Sequence, residues 1–336
     1  MPTPNAPIRA AIVGCGIISN AHAMASAKAP EDLIIVACMD IIENKAVEFA
    51  KKYGIPNAYT NYQEMIEREK PELLILSTWP VQHEEQVLTA IALGVKNILC
   101  EKSLAMNAAS AQRMHEAVRS AGGLLMEGFM WRHHPRTLQV QEMLESNRIG
   151  KLRKVRASFQ RNALNDPAGS WKHRPECGGG VVYDFTCYCV NAAGLFFPTL
   201  PTRVNAVWQK TSEGLITELQ GLLEYPDGLV AVIESSYGTH FQQPVELHGE
   251  NGIIRLEKVF SSFGATEILI DSNDGVDKIP SSDAWQAESQ IRHFCECIKN
   301  GGAPRFTSEE SVRNHAVIDA LLESAATRRA TTPRFP

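Results

Sequence analysis

Three groups of residues have side chains suited to the transfer of a hydride, although they are far apart in the chain. Gly14 and Gly16 lie near the N-terminus, Lys102 directly follows an apolar run, and Asp184 and Tyr188 come shortly after three consecutive glycines. Glycines let a backbone approach a phosphate, and a lysine and a tyrosine can handle a substrate hydroxyl and its proton. The combination favours a nicotinamide cofactor site completed by catalytic residues from two domains.

The segment from Ile12 to Ser19 has the pattern of a strand, a tight turn and the start of a helix. Gly14 permits the turn, Gly16 lets the backbone approach a pyrophosphate, and the N-terminus of the helix attracts the negative charge. Ser19 stands where the fingerprint usually has a third glycine, and its side chain is small enough to pack there. The alternative is a plain strand–turn–helix connection without a nucleotide.

Asp40 follows the second predicted strand, where an acidic side chain would accept hydrogen bonds from the ribose hydroxyls of the adenosine. A carboxylate there repels a 2′-phosphate, and the next residue is Ile41 rather than an arginine that could bind one. The sequence therefore predicts NAD as the cofactor in preference to NADP. The alternative is that Asp40 only caps the following helix.

Lys102 lies just beyond the C-terminal end of a predicted parallel strand, at the edge where open α/β sheets bind ligands. Its ammonium group could hydrogen-bond a substrate oxygen and lower the pKa of a neighbouring acid or base. The alternative is a surface lysine paired with Glu101.

Asp184, Tyr188 and Asn191 are spaced so that they share one face of an α-helix. Because most of that helix is apolar, these polar groups are expected to line a cavity, and Gly178–Gly180 would let the start of the helix approach a ligand closely. Tyr188 can take the hydroxyl proton as the hydride leaves. The alternative is that Tyr188 is a core aromatic residue.

The elements that position these residues divide the chain into two parts. Residues 1–128 alternate between short apolar runs and amphipathic segments, which is typical of a doubly wound parallel sheet covered on both faces. The predicted strands are Ile8–Gly14, Leu33–Met39, Leu73–Ser77, Asn97–Cys100 and Leu124–Gly128. The predicted helices are Ser19–Lys28, Glu43–Tyr53, Tyr62–Glu69, Gln82–Leu93 and Asn107–Ala121. We predict an α/β nucleotide-binding domain over residues 1–128.

The pattern changes after residue 128. Leu152–Gln160 alternates like a half-buried strand, and the chain from Arg203 to Asp271 is rich in strand patterns separated by turn signals. The predicted helices are Pro135–Ser146, Val181–Phe196, Ala284–Asn300 and Ser308–Arg329. We predict a substrate-binding α+β domain over residues 129–336 with an open, mostly antiparallel sheet. The free face of such a sheet needs a cover, so we expect a homodimer or homotetramer that forms through it.

Composition excludes several other classes of protein. The chain of 336 residues has a formal net charge of −5 and no long basic run, which argues against nucleic acid as a partner. No apolar stretch reaches the roughly 18 residues that a membrane span needs. The N-terminus is polar and rich in proline rather than arranged as a signal peptide, so we expect a cytoplasmic location. The eight cysteines lie mostly in apolar runs, and we predict neither a disulfide framework nor a metal site.

Together these motifs resemble the Gfo/Idh/MocA oxidoreductases over nearly the whole chain. Many members of that family carry His where Tyr188 stands, and Tyr188 is similar to the subgroup that contains glucose–fructose oxidoreductase, D-xylose dehydrogenase and dimeric dihydrodiol dehydrogenase. Residues 127–135 resemble the linker segment of the same subgroup. The motifs that carry the resemblance are the Gly14 and Gly16 turn, the pair Glu101 and Lys102, and Gly178–Gly180 with Asp184 and Tyr188.

The resemblance implies a Rossmann domain and an open-sheet domain with the substrate between them, in which Lys102 and Tyr188 form the catalytic pair and Asp184 orients the substrate or the lysine. On this basis the predicted cofactor-binding residues are Gly14, Gly16, Ile17, Ile18, Asp40, Ile41, Ser77, Thr78, Trp79, His83, Glu101 and Lys102. The predicted substrate-binding residues are Lys102, Trp171, His173, Arg174, Asp184 and Tyr188.

Residues 171–174 form a polar segment before the three glycines. We expect a loop that closes over the substrate, with Trp171 as a wall and Lys172, His173 or Arg174 in contact with substrate hydroxyls. The alternative is an ordinary exposed loop.

Three residues depart from the pattern of the family. Ser103 replaces the usual proline after the lysine; since a cis bond before a residue other than proline costs roughly 3 kcal/mol, we expect a trans bond between Lys102 and Ser103. Trp79 stands where a proline usually follows Thr78, and near a nicotinamide it would narrow the pocket or stack on a ring. Thr186 replaces a glycine between Asp184 and Tyr188.

Three hypotheses of function follow. The first is an NAD-dependent dehydrogenase that acts on a sugar, a polyol or a related cyclic hydroxy compound. The second is a regulator of the same fold that binds a dinucleotide without catalysis. The third is a reductase of a non-sugar carbonyl compound.

Overall fold

The computed structural model describes residues 6–167, 170–261 and 264–336. These residues group into two compact units by their contacts. The first comprises the described residues of Met1–Ala105, Ser110–His133 and Gln286–Ser311. The second comprises those of Met106–Ala109, His134–Trp285 and Val312–Pro336. Compared with the predicted division after residue 128, the main difference is that the segment from Gln286 to Ser311 packs with the first unit.

The first unit contains a parallel sheet of six strands in the order β3-β2-β1-β4-β5-β6. Its strands are β1 (Ile8–Val13), β2 (Leu33–Met39), β3 (Asn57–Tyr59), β4 (Leu73–Leu76), β5 (Asn97–Cys100) and β6 (Leu124–Glu127). The helices that alternate with them are α1 (Ile17–Lys28), α2 (Glu43–Tyr53), α3 (Tyr62–Glu69), α4 (Pro80–Ala92) and α5 (Ala108–Ser120). This is the doubly wound sheet that the sequence predicts.

Burial explains why the apolar runs of the first unit become central strands. The four residues of β4 are all buried, as are the last four of β1, because helices cover both faces of a parallel sheet. The strand order reverses between β1 and β4, and ligands of open α/β sheets bind at such a reversal, beyond the carboxyl ends of the strands. Gly14 follows β1 and Ser77 follows β4, so both lie at this point.

The second unit contains a sheet of eight strands in the order β14-β13-β12-β11-β7-β10-β9-β8, in which only β7 and β10 pair in parallel. Its strands are β7 (Leu152–Gln160), β8 (Arg203–Lys210), β9 (Ile216–Glu224), β10 (Val230–Ser236), β11 (Val245–Gly249), β12 (Gly252–Leu256), β13 (Thr266–Ser272) and β14 (Gly275–Ser281). Helix α6 (Pro135–Glu145) precedes the sheet, and helix α7 (Cys187–Phe196) packs against β7 and β10. The predicted open, mostly antiparallel sheet is confirmed.

Two further helices follow the second sheet in the chain. Helix α8 (Gln286–Asn300) belongs to the first unit, where it packs against α1. Helix α9 (Ser308–Thr327) is the last helix of the described residues, and most of it belongs to the second unit.

Three elements differ from the sequence-based expectation, and one of them is strand β14, which lies beyond the predicted strand-rich region from Arg203 to Asp271. The edge strand β3 is not among the predicted strands, because three residues with partial burial carry no alternating pattern. The predicted helix Val181–Phe196 begins as a π-helix over Val182–Thr186 and becomes the α-helix α7 only at Cys187. Because a π-turn inserts one extra residue, the α-helical spacing assumed for Asp184, Tyr188 and Asn191 does not hold at its start.

Candidate active site

The glycine turn after β1 has the geometry of a phosphate-binding loop. Gly14 has φ +87°, and a Cβ there would lie 2.7 Å from the carbonyl oxygen of Ser77, so the position excludes other residues. Gly16 precedes α1, and a Cβ there would meet no atom within 4 Å. No side chain caps α1 and no acidic residue lies in its first turn. The N–H groups at this end therefore remain available to an anion, and the turn fits the pyrophosphate of a dinucleotide.

Ser19 takes the third position of this turn without disturbing it. The residue is fully buried, and its hydroxyl donates a hydrogen bond to the carbonyl oxygen of Gly14. The hydroxyl thus fixes the turn from inside the helix. Ile17, by contrast, is 95 % exposed at the start of α1, and Ile18 is partly exposed.

Asp40 follows β2 and connects directly to the glycine turn. One carboxylate oxygen accepts the N–H of Cys15 at 3.0 Å, and the other accepts the N–H of Ile42 at 2.9 Å. The neighbouring Ile41 is 78 % exposed, so an apolar side chain rather than a cation flanks the carboxylate. A carboxylate flanked by an apolar side chain thus lies beside the glycine turn.

The segment after β4 joins the glycine turn to the lysine segment through a buried histidine. His83 lies on α4 with Nδ1 at 3.1 Å from the oxygen of Ser103 and Nε2 at 3.3 Å from the oxygen of Thr78. Burial lowers the pKa of His83, so its ring is neutral at physiological pH. Ser77 is buried beside Gly14, and Trp79 precedes α4 with 36 % of its surface exposed.

Lys102 follows β5 in a segment with several buried partners. The preceding Glu101 is buried and lies 2.7 Å from Nε2 of His22, so its carboxylate belongs to the interior rather than to the surface. The N–H of Leu104 donates to the carboxyl group of Glu127 at 2.8 Å. Lys102 itself is partly exposed at the carboxyl edge of the sheet. His22 and Glu127 are absent from the sequence-based site, because His22 belongs to no motif and Glu127 is only the first residue of the segment that resembles the linker of the family.

The expectation of a trans bond between Lys102 and Ser103 is wrong, because this bond is cis. The expectation considered only the local preference of a residue other than proline. The backbone groups that follow Lys102 have tertiary partners, namely His83 for the oxygens of Ser103 and Leu104 and Glu127 for the N–H of Leu104. Such distant partners decide the conformation and are invisible in the local sequence.

In the second unit, Asp184 is the centre of a polar cluster. Its carboxylate lies 3.0 Å from the ammonium group of Lys172 and 3.0 Å from the hydroxyl of Tyr237. The Tyr237 hydroxyl is also 3.0 Å from the carbonyl oxygen of Gly180. Burial and the charge of Asp184 raise the pKa of Tyr237 well above its ordinary value, so the hydroxyl stays protonated and acts as a donor.

Tyr188 lies on α7 among aromatic side chains. Its ring centroid is 5.4 Å from that of Phe159 and 5.1 Å from that of Phe260, and 8 % of the residue is exposed. Phe185 stacks on Phe159, and the Lys172 ammonium group lies 5.7 Å from the centroid of Phe185. Polar and aromatic groups thus adjoin in this unit, a combination that suits a substrate with a ring and hydroxyl groups. Asn191 is buried on the same helix.

The predicted substrate loop is partly short helix. Trp171–His173 forms a single 3₁₀ turn, while residues 168 and 169 just before it lie outside the described residues. His173 contacts the carbonyl oxygen of Ala163 at 2.8 Å through Nε2, and Arg174 pairs with Glu176 at the surface. Of the residues in this segment, Lys172 is the one that reaches Asp184.

Two of the three consecutive glycines, Gly179 and Gly180, allow backbone to pack closely on backbone. A Cβ at Gly179 would lie 2.5 Å from the oxygen of Trp171, and a Cβ at Gly180 would lie 2.9 Å from the oxygen of Ile216. These positions admit close approach of neighbouring protein segments, and the expected approach to a ligand stays a prediction. Sequence reasoning also missed Tyr237, since a lone tyrosine after a strand carries no signal of its role.

The departure at Thr186 is accommodated by a buried hydrogen-bond chain. Its hydroxyl lies 2.6 Å from that of Ser235 on β10, and Ser235 donates to the carbonyl oxygen of Leu219 on β9. The threonine therefore ties the π-helical turn to the sheet.

Three further findings concern the described residues as a whole. No group of three or more His, Cys, Asp or Glu within residues 6–167, 170–261 and 264–336 could hold a metal ion. In the same ranges, no helix has the length and apolar character needed to cross a membrane. All eight cysteines are free.

The fold and the nucleotide turn define an oxidoreductase with an NAD(P)-binding Rossmann domain, and comparison with known proteins assigns the family. Residues 8–129 match the model of the oxidoreductase family with an NAD-binding Rossmann fold, and residues 137–255 match the GFO/IDH/MocA C-terminal domain. The chain belongs to the Gfo/Idh/MocA oxidoreductase family, as its motifs indicate.

Relatives in this family include characterised dehydrogenases and reductases. D-xylose 1-dehydrogenase (NADP(+)) 2 of Haloferax volcanii is 31 % identical over 86 % of this chain and 88 % of its own length. Trans-1,2-dihydrobenzene-1,2-diol dehydrogenase of Mus musculus is 31 % identical over 78 % of each chain. Among solved structures, a 3-ketoreductase from Actinomadura kijaniata in complex with NADP and TDP-benzene has a TM-score of 0.87 and 27 % identity, covering 95 % of this chain and 98 % of that chain.

Proposed function

We propose that the protein transfers a hydride between NAD and a carbinol carbon of a sugar, a polyol or a related cyclic hydroxy compound. The observation that carries this proposal is the cluster of Asp184, Lys172 and Tyr237 in a unit where Tyr188 lies among aromatic rings. Hydrogen-bonding groups beside an aromatic wall suit a cyclic substrate with hydroxyl groups. The relatives named for D-xylose and for a dihydrodiol support the same class of substrate.

The proposed roles follow the chemistry of each side chain. A bound nicotinamide would supply the hydride acceptor or donor. Tyr188 would take the hydroxyl proton at its phenolic oxygen during oxidation and return it to the carbonyl oxygen during reduction. Lys102 would hydrogen-bond the same substrate oxygen, and Asp184 would orient the substrate.

The preference for NAD is the finer part of the proposal. The Haloferax dehydrogenase is named for NADP(+), and the Actinomadura reductase is solved with NADP. Here, however, the carboxylate of Asp40 adjoins the glycine turn, and the residues directly after it are Ile41 and Ile42. A carboxylate repels a 2′-phosphate, and apolar side chains cannot neutralise one. We therefore expect the value of kcat/KM for NAD to exceed that for NADP.

The test is to follow nicotinamide absorbance while NAD and NADP are offered with a panel of sugars, polyols and cyclic diols. Tyr188→Phe is the matched variant, since it removes one oxygen and keeps the ring. We expect it to lose turnover by at least a hundredfold while NAD binding changes little, because the hydroxyl serves the proton transfer only.

Three outcomes would count against the proposal. Loss of NAD binding in Tyr188→Phe would indicate a structural role for the tyrosine. Equal kcat/KM for NAD and NADP would contradict the role of Asp40. Tight NAD binding without turnover on any compound would favour a non-catalytic regulator of the same fold.

We also propose that the chain forms a homodimer or homotetramer through the free face of the eight-stranded sheet. Val207 on β8 is 64 % exposed and Leu222 on β9 is 40 % exposed, and the pairing of Asn205 with Leu222 places both on one face. We expect light scattering to give the mass of a dimer or tetramer, and the double variant Val207→Lys, Leu222→Lys to reduce it. A monomer in the unsubstituted protein would contradict this.

A further inference from the structure

Glu127 is a buried carboxyl group that contacts the segment carrying Lys102. It ends strand β6, is 0 % exposed, and pairs in register with Cys100 on β5. Its Oε1 accepts the N–H of Leu104 at 2.8 Å. The carboxyl group thus fixes the backbone two residues beyond Lys102 from the side of the neighbouring strand.

Charged side chains of both signs lie near Glu127, namely Glu101 and Lys102. Burial raises the pKa of Glu127 to about 8, and the like charge of Glu101 acts in the same direction. The nearby hydroxyl of Ser311, the hydrogen bond from the N–H of Leu104 and the positive charge of Lys102 favour the ionised form. The nearby thiol of Cys100 stays protonated, because burial and the two carboxylates raise its pKa. The charge of Glu127 therefore changes within the range of pH in which enzymes work.

We propose that Glu127 is a positioning residue for Lys102. Glu127 fixes the backbone of the Lys102–Leu104 segment, and its own charge sets the electrostatic potential at the Lys102 ammonium group. The proposal rests on the proposed function, in which Lys102 contacts the substrate oxygen. A neutral Glu127 holds the segment by its hydrogen bond alone. An ionised Glu127 also attracts the ammonium group and favours its charged form.

The direct test is the reactivity of the Lys102 amine as a function of pH. Only the neutral amine reacts with acetic anhydride, so brief labelling of the full chain between pH 6 and 11, quantified at Lys102 by mass spectrometry, measures how readily it loses its proton. Glu127→Gln keeps an oxygen that can accept the N–H of Leu104 and removes the negative charge. We expect the labelling curve of this variant to move to lower pH by about half a unit or more.

A second variant acts on Glu127 without replacing it. Ser311→Ala removes a hydroxyl that favours the ionised carboxylate. Without this hydroxyl the pKa of Glu127 should rise further. We therefore expect the inflection that the ionisation of Glu127 produces in the labelling curve of Lys102 to move to higher pH. This variant keeps the proposal testable if Glu127→Gln does not fold.

Asp319→Asn is the matched control. Asp319 also accepts a backbone N–H, that of Ala108 at 2.8 Å, and burial also raises its pKa, but it belongs to the second unit. We expect the labelling curve of Lys102 in this variant to coincide with that of the unsubstituted protein. A general loosening of the fold would instead move the curves of both carboxyl variants.

Superimposable labelling curves for the unsubstituted protein and Glu127→Gln would overturn the proposal, as would an equal shift in the Asp319→Asn control. Labelling needs no turnover, so an inactive protein would refute the proposed function and leave this result readable. If the protein turns over NAD, the pH profile of kcat/KM should also change near pH 8 in Glu127→Gln and not in the control.

Discussion

At the scale of single residues, the arrangement around Asp184 goes beyond what motifs convey. The motif names Asp184 and Tyr188, while the structure adds Lys172 and Tyr237 as direct partners of the carboxylate. Tyr237 is not marked by its position in the sequence, and Lys172 is expected in the substrate loop but not as a partner of Asp184. Both acquire their roles from the tertiary structure alone.

Lys172→Met should impair the candidate substrate site. The side chain of Asp184 is 6 % exposed, so removal of the ammonium group leaves a buried carboxylate without that counter-charge. We expect the free energy of unfolding to fall by about 1–3 kcal/mol, and kcat/KM to fall roughly tenfold or more as the carboxylate loses its orientation. Urea denaturation and steady-state kinetics measure the two effects.

The exposed Lys151→Met is the control, because it makes the same chemical change at the surface. An effect of equal size in both variants would show that the ion pair with Asp184 has no special role. Full kcat/KM in Lys172→Met would remove Lys172 from the site.

At the scale of elements, the turn between β1 and α1 connects backbone conformation to cofactor binding. A Cβ at Gly14 would collide with the backbone of Ser77, whereas a Cβ at Gly16 would point into open space. The two glycines therefore serve different purposes. Gly14 is needed for the fold of the turn, and Gly16 for the room that a ligand requires.

Gly16→Ala separates the two purposes. Its added methyl group meets no protein atom within 4 Å, so we expect the free energy of unfolding without cofactor to change by less than about 1 kcal/mol. The methyl group would occupy the space of a pyrophosphate, and we expect the Kd for NAD to rise by about tenfold or more. Calorimetric titration with NAD measures the change.

Gly94→Ala is a useful comparison, since Gly94 has φ +90° and open surroundings in the same unit but ends helix α4. It should cost about 1 kcal/mol of stability through backbone strain and leave the Kd for NAD unchanged. An unchanged Kd in Gly16→Ala would contradict the assignment of this turn to the cofactor.

The helices and strands also show which elements local sequence patterns can predict. The bounds of β7 and of α3 agree with the prediction residue for residue, because alternation over nine residues and an amphipathic repeat are strong local signals. The π-turn at Val182–Thr186 leaves no such signal. Its shape depends on hydrogen bonds such as that of Thr186 with Ser235, 49 positions further along the chain.

The residues of the candidate site likewise fall into those that the sequence predicts and those that it does not. The glycine turn and Asp40 are readable because their chemistry is local to a strand and a turn. The cis bond after Lys102 and the buried contact of Glu127 are not, because they depend on partners from other strands and helices.

At the scale of the whole molecule, buried histidines make stability depend on pH. Burial lowers the pKa values of His134 and His293 to about 4, and those of His83 and His133 are lowered as well. The folded state therefore binds fewer protons than the unfolded state near pH 5. The stabilisation is complete above the ordinary pKa of about 6.5 and is lost as the pH falls toward 4.

We expect the free energy of unfolding to decrease between pH 7 and pH 5 by up to about 2 kcal/mol for each of His134 and His293, with His83 and His133 acting in the same direction. Glu127 and Asp319 act in the opposite direction, since the raised pKa of each carboxyl group favours the folded state at lower pH, but the four histidines outnumber them. Urea denaturation at pH 7, 6 and 5 measures the slope.

His240→Gln is the control, because His240 is exposed and its loss should leave the slope unchanged. Stability that stays constant or rises from pH 7 to pH 5 would contradict the assignment of neutral, buried histidines.

The central claim is the transfer of a hydride between a carbinol carbon and the nicotinamide. The most direct test uses a substrate found by the absorbance panel and labelled with deuterium at that carbon, followed by mass spectrometry of the reduced cofactor. We predict that the reduced NAD carries the deuterium of the labelled substrate. With unlabelled substrate in heavy water, the reduced NAD should carry no deuterium. Reduced cofactor without the label, or binding of NAD with no transfer to it, would contradict the proposed function.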